Sequence, residues 1–267
     1  MGKGVKSYFS FIAMNPILSF IIIEYHSFDD IVECIATIRS STSLSYEVIV
    51  SSNSCYLLEV QERILKKMEH VKWVFNSKNG GFAYAMNRGI EKAVGDFLVI
   101  MNPDVRIKYG IEYMFDFLYF NEQVGIVSPK IVNSLGEVQD SFRKFLTPSN
   151  FILRQLRRIF YRRNEVITMT KLENVDWVIG AFMMISKKAY EAVCGMDEKY
   201  FLYCEDMDLC KKIHDKGYKV IYYPDAVVVY EGTRSARKSL KYACIFLSSL
   251  LHYWSKFGFK RLTSVFG

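Results

Sequence analysis

The sequence predicts an α/β fold: a mainly parallel sheet flanked by helices, followed by an amphipathic C-terminal helix. Three observations carry that expectation. Short apolar runs of strand length alternate with stretches of helical periodicity as far as Met101, a pattern that builds β-α-β units with right-handed crossovers. Those runs are apolar at nearly every position, as in strands covered on both faces. Polar clusters follow the carboxyl ends of the runs, where sheets of this kind hold their ligands.

Leu18 to Tyr25 (LSFIIIEY) is the first such strand, and it runs into Glu24-Tyr25-His26-Ser27. Asp29 to Ser40 repeats apolar residues at helical spacing (Ile31, Cys34, Ile35, Ile38). Tyr46 to Val50 is a second buried strand, ending in the polar turn Ser51-Ser52-Asn53-Ser54. Leu57 to Met68 forms an amphipathic helix, and Lys72 to Phe75 a third strand. That strand leads into Asn79-Gly80-Gly81-Phe82, where paired glycines before a helix let backbone N–H groups approach a phosphate. Read alone, the same residues are a helix-entry turn.

Asp96 to Met101 is the next buried strand, terminating in Asn102-Pro103-Asp104-Val105. A carboxylate on a proline-stiffened turn past a strand end suits a divalent cation that carries a diphosphate, because Mg²⁺ combines one or two carboxylates with substrate phosphates. A plain Pro-Asp turn is the alternative. Tyr109 to Phe120 is expected as a helix and Val124 to Ser128 as a short strand. Val175 to Ser186 is apolar enough for the interior yet holds Asp176, Trp177 and Gly180. Lys187 to Val193 reads as a short helix, Leu209 to Lys216 as another with Gly217 as its stop, and Tyr218–Tyr223 and Ala226–Tyr230 as strands around Pro224-Asp225. Glu231 to Arg237 is a polar loop whose Arg234 and Arg237 suit phosphate oxygens. From Leu240 to Phe257 apolar residues recur at helical spacing, giving an amphipathic helix that packs on its own domain, touches a membrane, or does both.

The chain has 267 residues, 51% apolar and 15% aromatic, so a sizeable core is expected and disorder is not. Its net charge of +7 points to an anionic partner: nucleic acid, a membrane surface or a phosphorylated substrate. Between Ser141 and Asn164 stand Arg143, Lys144, Arg154, Arg157, Arg158, Arg162 and Arg163 with no acid among them. That stretch is either a solvated helix face or a flap against lipid headgroups or a lipid-linked pyrophosphate. It carries no nucleic-acid motif, and no nucleic-acid partner is expected. The six cysteines form no C-x-x-C pair and the four histidines lie far apart, which argues against a structural zinc site and for a reduced, cytoplasmic setting. The opening basic and apolar stretch resembles a signal peptide, but Pro16 interrupts it, no small-x-small cleavage site follows, and Phe20–Ile23 fits a strand better. No run of about 20 apolar residues predicts a spanning helix.

Phe201 to Cys210 (FLYCEDMDLC) is the stretch on which the functional reading turns. Glu205, Asp206 and Asp208 stand within four residues, walled by Phe201, Tyr203, Met207 and Leu209. Apolar neighbours raise a carboxyl pKa while donors and cations lower it, so such a cluster can divide into acid and base roles. The plainer reading is a helix N-terminus with acids in its first turn, favoured by the macrodipole.

Taken in order, these motifs resemble the family-2 glycosyltransferases of GT-A fold, particularly the bacterial rhamnosyltransferase-like branch that builds O-antigen and other surface polysaccharides. The resemblance runs from about Leu18 to Arg237. Asn79-Gly80-Gly81-Phe82 with Asn87-Arg88-Gly89 looks like that family's N-x-G-F…N-x-G segment, and Met101-Asn102-Pro103-Asp104-Val105 like its L-N-P-D-V. Asp176-Trp177-Val178-Ile179-Gly180-Ala181-Phe182 resembles its W-x-x-G-A-F, and Gly195 to Cys210 its G-F-D-E…E-D-x-D-L-C. The resemblance implies a Rossmann-like, mixed and mainly parallel sheet in one domain over residues 1–237. Residues 18–110 would form the nucleotide-sugar half, 120–237 the acceptor and catalytic half, and 238–267 a helical extension.

The resemblance further implies an inverting transfer of a sugar, L-rhamnose from dTDP-L-rhamnose, to a polyprenyl-pyrophosphate-linked glycan at the inner face of the cytoplasmic membrane. Asp206 would be the base and Glu205 would orient the acceptor. Asp104 would ligate Mg²⁺ or Mn²⁺ on the diphosphate. Tyr25, Ser52, Asn53, Asn79, Gly81, Phe82, Asn87, Asn102, Asp104, Arg234 and Arg237 would hold the nucleotide-sugar, and Asp176, Trp177 and Gly180 the acceptor or sugar. Two departures stand out. Ser52 occupies the place of the family's base-reading Asp, and Tyr230 that of a His assigned to metal or diphosphate. UDP-galactofuranose or UDP-hexose are alternative donors, and a non-catalytic glycan-binding module is the reading from another class. The oligomeric state is left open by the sequence.

Overall fold

The computed structural model describes residues 17–151, 169–232 and 239–258. The basic cluster Arg154–Arg163, Arg234 and Arg237, and the N-terminal run before Ile17 lie outside the described residues.

The first half follows the predicted alternation. Strands β1 (Leu18–Glu24), β2 (Tyr46–Ser52), β3 (Lys72–Phe75) and β4 (Phe97–Met101) are separated by α1 (Phe28–Ser41), α2 (Leu58–Lys67) and α3 (Phe82–Ile90). These four strands pair in parallel in the order β3-β2-β1-β4. Next come β5 (Arg106–Tyr109), α4 (Ile111–Phe120), β6 (Val124–Val132), β7 (Phe142–Arg143), β8 (Glu173–Asn174), β9 (Trp177–Val178), β10 (Phe182–Ser186), α5 (Lys187–Ala192), α6 (Glu205–Asp215), β11 (Lys219–Val229) and α7 (Leu240–Tyr253). The sheet continues β4-β10-β6-β11-β5, with β8 on β11, and β10 runs antiparallel to both its neighbours. The fold is therefore the mixed, mainly parallel GT-A sheet with a C-terminal helix.

Both faces are covered, as the unbroken apolar runs require. Ile21 and Ile23 of β1 point into one apolar layer with α3, α6 and α7, whereas Phe20 and Ile22 join α1 and α4 on the other face. Four departures from the sequence reading matter. Strand β5 appears after Asp104 and pairs with β11, and β6 runs on past Ser128. The strands expected on either side of Pro224 are one strand, whose register shifts between Tyr223 and Val227. A bulge there accommodates a proline that has no N–H to donate to the ladder. Finally, α6 begins at Glu205 rather than Leu209, so the acidic cluster forms its first turn.

Candidate active site

Reversal of β10 builds the site. Because β10 is antiparallel to β4, its start at Phe182 lies beside Met101, the end of β4. The Asn102 N–H donates to the Ala181 carbonyl (2.9 Å), and the adjacent Gly180 N–H donates to Asp206 Oδ2 (2.9 Å). Two neighbouring peptides thus tie the Asn102-Pro103-Asp104 turn to the N-terminus of α6. Tyr230 spans the same cleft: its hydroxyl accepts from Asn102 Nδ2 (3.3 Å). Burial pushes its pKa up to about 12, with the charges of Asp104 and Asp206 adding to that rise. The two acids, far apart in sequence, both lie near enough to Tyr230 for their charges to act on its hydroxyl.

The acids at the start of α6 are differentiated by their partners. Tyr203 (φ +71) and Cys204 (φ +66) are both left-handed, a conformation that costs a non-glycine residue about 1–2 kcal/mol. The sharp turn they make sets Glu205 and Asp206 into the first helical turn, where the macrodipole favours negative charge. Asp206 accepts from Gly180 N–H and from Met207 N–H (2.7 Å). Burial raises its pKa, while those two donors and the Arg143 guanidinium oppose the rise. Glu205 is buried, and its Oε2 finds no hydrogen-bond partner among the described residues. Burial first, and the charge of Asp206 second, push its pKa well above the usual carboxylate range. Burial and the charge of Asp206 favour the protonated form of Glu205, whereas two N–H donors and Arg143 favour the charged form of Asp206.

The glycine turn before α3 packs against the same segment. Gly81 has φ +91, and a Cβ there would lie 2.2 Å from the Phe201 carbonyl oxygen. Phe82 N–H donates to that oxygen (2.9 Å), and the Phe82 ring lies against Gly180, whose missing Cβ leaves room for Asp206. Asn53 Nδ2 donates to the Gly81 carbonyl (3.0 Å) and to Asn79 Oδ1 (3.2 Å), while Asn76 Nδ2 holds Asn53 Oδ1 (3.0 Å). Asn53, Asn79, Gly81, Phe82, Gly180 and Asp206 are therefore joined by one run of contacts, which Asn102 enters through Ala181.

Ser52 is fully buried and its hydroxyl donates to Glu24 Oε2. Glu24, unexposed at the end of β1, also accepts from Ser27 N–H, Ser54 Oγ and Tyr56 OH. This carboxylate binds the ends of β1 and β2 together and was not singled out from the sequence. An acid closing an otherwise apolar strand was its only signal. Tyr25 stands 53% exposed, its ring tilted against His26, which with Ser27, Phe28, Asp29, Asp30 and Tyr56 lines a pocket of about 390 Å³.

Three expected ligands make hydrogen bonds within the scaffold. Asn87 donates to the Met196 carbonyl and Glu198, and accepts from Tyr190 OH and Met196 N–H. Its amide clamps α3 to Gly195–Glu198. Asp176 accepts from Phe145 N–H (2.9 Å), so its carboxylate holds the loop after β7. Trp177 is buried, its indole N–H bonded to the Lys144 carbonyl (3.0 Å) and its ring covered by Arg143. Arg143 itself, held by Asp140 (2.7 Å), is the cation that bears on Asp206. In the sequence it was one basic residue among seven.

Asp104 is the carboxylate available to a cation. Burial raises its pKa, Asp30 adds to the rise, and Arg106 counters it. Arg106 is turned to Glu33 (2.7 Å) and to the carbonyls of Pro103 and Val105. Among the described residues no group of three or more His, Cys, Asp or Glu gathers as a metal cage. One desolvated carboxylate, completed by phosphate oxygens and water, fits the way Mg²⁺ is held at diphosphates.

Comparison with known proteins gives the same picture. The family model described as "Glycosyl transferase family 2" matches residues 19–194, and one described as "N-terminal domain of galactosyltransferase" matches 170–234. The chain is 24% identical over 241 residues to the N-acetylglucosaminyl-diphospho-decaprenol L-rhamnosyltransferase of Mycobacterium tuberculosis, covering 83% of this chain and 78% of the relative. It is 25% identical over 219 residues to rhamnosyltransferase WbbL of Escherichia coli K12 (77% and 80%). In fold it is similar to GalNAc-T7, solved with UDP, GalNAc and Mn²⁺ (TM-score 0.61, 15% identity, 82% of this chain and 45% of that one). It is also similar to the mannosyltransferase PcManGT of Pyrobaculum calidifontis, solved with GDP-Man and Mn²⁺ (TM-score 0.56, 19% identity, 83% and 59%). The chain thus spans about half the length of these solved structures.

Proposed function

The chain belongs to glycosyl transferase family 2, and from that premise we propose an inverting transferase that moves L-rhamnose from dTDP-L-rhamnose to a polyprenyl-diphosphate-linked glycan in bacterial surface polysaccharide synthesis. The observation that carries the chemistry is the Gly180–Asp206 hydrogen bond. It fixes an ionisable carboxylate next to the peptide that anchors Asn102, two residues before Asp104.

Asp206 Oδ takes the proton of the acceptor hydroxyl as its oxygen attacks the anomeric carbon. The bond from that carbon to the diphosphate breaks on the opposite face, inverting the centre and releasing dTDP. The Gly180 and Met207 N–H groups favour the ionised form of Asp206 against the effect of burial, and the ionised form is the one a base needs. Glu205, protonated, lines the same turn without competing for charge. Asn53, Asn79 and the Gly81 backbone shape the nucleotide side, with Tyr25 on its rim. Asp104 would hold Mg²⁺ or Mn²⁺, which supplies neutralisation of the departing diphosphate when bound. Both solved neighbours carry Mn²⁺.

Rhamnose is supported by the names of the relatives and a lipid-linked acceptor by that of the mycobacterial one. A second donor reading, UDP-galactofuranose or UDP-hexose, is favoured by the Ser52 hydroxyl being committed to Glu24. No helix among the described residues is long and apolar enough to cross a membrane. Attachment is instead proposed as peripheral, through the exposed Leu240, Leu247 and Leu251 of α7 and the basic cluster Arg154–Arg163. Purified protein given each donor with Mn²⁺ and a prenyl-diphosphate glycan decides between donors by the nucleoside diphosphate released. Release of UDP alone removes the rhamnose reading. Flotation with anionic vesicles at low salt checks attachment, and protein left at the bottom of the gradient removes it.

A further inference from the structure

We propose that the C-terminal segment Ser249–Lys256 is a strut for the catalytic turn, with Lys256 as its positioning residue. The proposal rests on Asp206 being the base. Both family matches end before this segment. Yet it reaches into the site from behind.

Two residues on from Asp206, Asp208 lies about 200° around α6, so it faces away from the cleft and is wholly buried. Lys256 Nζ meets Asp208 Oδ2 at 2.7 Å and Asp197 Oδ2 at 2.9 Å. One ammonium thereby fastens both ends of the segment 197–208, which contains the left-handed pair Tyr203–Cys204. Ser249 Oγ donates to the Leu202 carbonyl (2.8 Å), immediately before that pair. Trp254 Nε1 donates to the Leu146 carbonyl (2.6 Å), fixing the loop that also carries Arg143. His252 adds a contact to Asp197 (3.1 Å), and Tyr200 OH donates to Asp208 (3.2 Å).

Lys212, the other cation near Asp208, stands 3.6 Å from its Oδ1 and donates to the carbonyls of Gly195 and Val193. Lys256 is therefore the close counter-charge. Without it, a buried carboxylate in the same helical turn as the base loses its partner, and the left-handed turn loses its brace. Strained backbone persists only where its surroundings over-determine it.

The test uses the full chain with Lys256→Met and Lys256→Arg, read by hydrogen–deuterium exchange and by steady-state kinetics. Lys256→Met is expected to speed exchange over residues 197–208 while leaving β1–β4 protected. It should lower kcat by about 100-fold, as small misplacements of catalytic groups do, with donor KM within about threefold. Lys256→Arg, which keeps the charge, should recover most of both losses. Should Lys256→Met not fold, Lys256→Met/Asp208→Asn, which removes the stranded charge, carries the same expectation for exchange and kcat. Unaltered exchange over 197–208, or faster exchange with wild-type kcat, overturns the strut. Exchange needs no turnover, so loosened exchange in a chain whose wild type transfers no sugar keeps the strut and removes the transferase reading instead.

Discussion

Replacing Asp206 by Asn tests the site most directly. A positioned general base contributes about 10²- to 10⁴-fold to rate, or about 3–5 kcal/mol of barrier at 1.36 kcal/mol per decade. The structure says what else the substitution does. Asp206 accepts two backbone N–H groups, from Gly180 and Met207, and an Asn offers one acceptor oxygen to replace two. One N–H is left facing an NH₂ group, at a cost of about 1–3 kcal/mol. Against this, a half-buried carboxylate whose pKa burial raises is gone, which returns part of that cost. Stability should therefore change by much less than the barrier. Saturating donor and acceptor, with released nucleoside diphosphate as readout, should give a kcat at least about 100-fold down. Donor affinity by calorimetry should stay close to wild type. A folded variant with kcat within about threefold of wild type would refute the base assignment, because no loss of proton acceptance is that mild.

The remaining predictions concern its neighbours. Glu205→Gln replaces a protonated carboxyl by its neutral isostere, so kcat should fall by less than about tenfold and the acid limb of the pH profile should stay in place. Because folding raises the Glu205 pKa above its ordinary 4.5, its contribution to stability is present below that value and is lost as pH rises through the folded one. The Gln variant should consequently melt higher than wild type at pH well above the folded value; a lower Tm there contradicts the raised pKa of Glu205. Gly81→Ala puts a methyl 2.2 Å from the Phe201 carbonyl at φ +91, and strain with overpacking should cost about 2–5 kcal/mol in denaturant titration. A loss under about 1 kcal/mol would deny the close approach. Ser52→Asp places a carboxylate opposite Glu24, its partner in the β1–β2 register. It should destabilise by about 3 kcal/mol or more, while Glu24→Ser/Ser52→Asp restores the melting temperature. Wild-type stability of the single variant would show that Glu24 is not the organising charge.

Much of the fold was legible in one dimension. The apolar runs at 18–25, 46–50 and 96–101 announced buried parallel strands, because a strand covered on both faces must be apolar at every position; 72–75 is the partly exposed strand at the sheet's edge. The motif order pointed to the family, and Asp104, Asp206 and Gly81 were named from it. What the sequence could not supply was direction and partnership. An apolar run reads the same whichever way it lies in the sheet, so nothing local said that β10 is antiparallel; yet that reversal carries Gly180 to Asp206. Asn87, Asp176 and Trp177 sit in the right motifs, and hydrogen bonds to Met196, Glu198, Phe145 and Lys144 engage them in holding the scaffold. Glu24, Arg143 and Lys256 were invisible for the converse reason. Their meaning comes from charges and carbonyls that meet them only after folding, since pairing and desolvation depend on distance in space. The sequence by itself determined which segments are buried and which chemistry they carry. The tertiary structure alone decided which acid keeps its proton, which amides are spent on the scaffold, and what braces the turn between them.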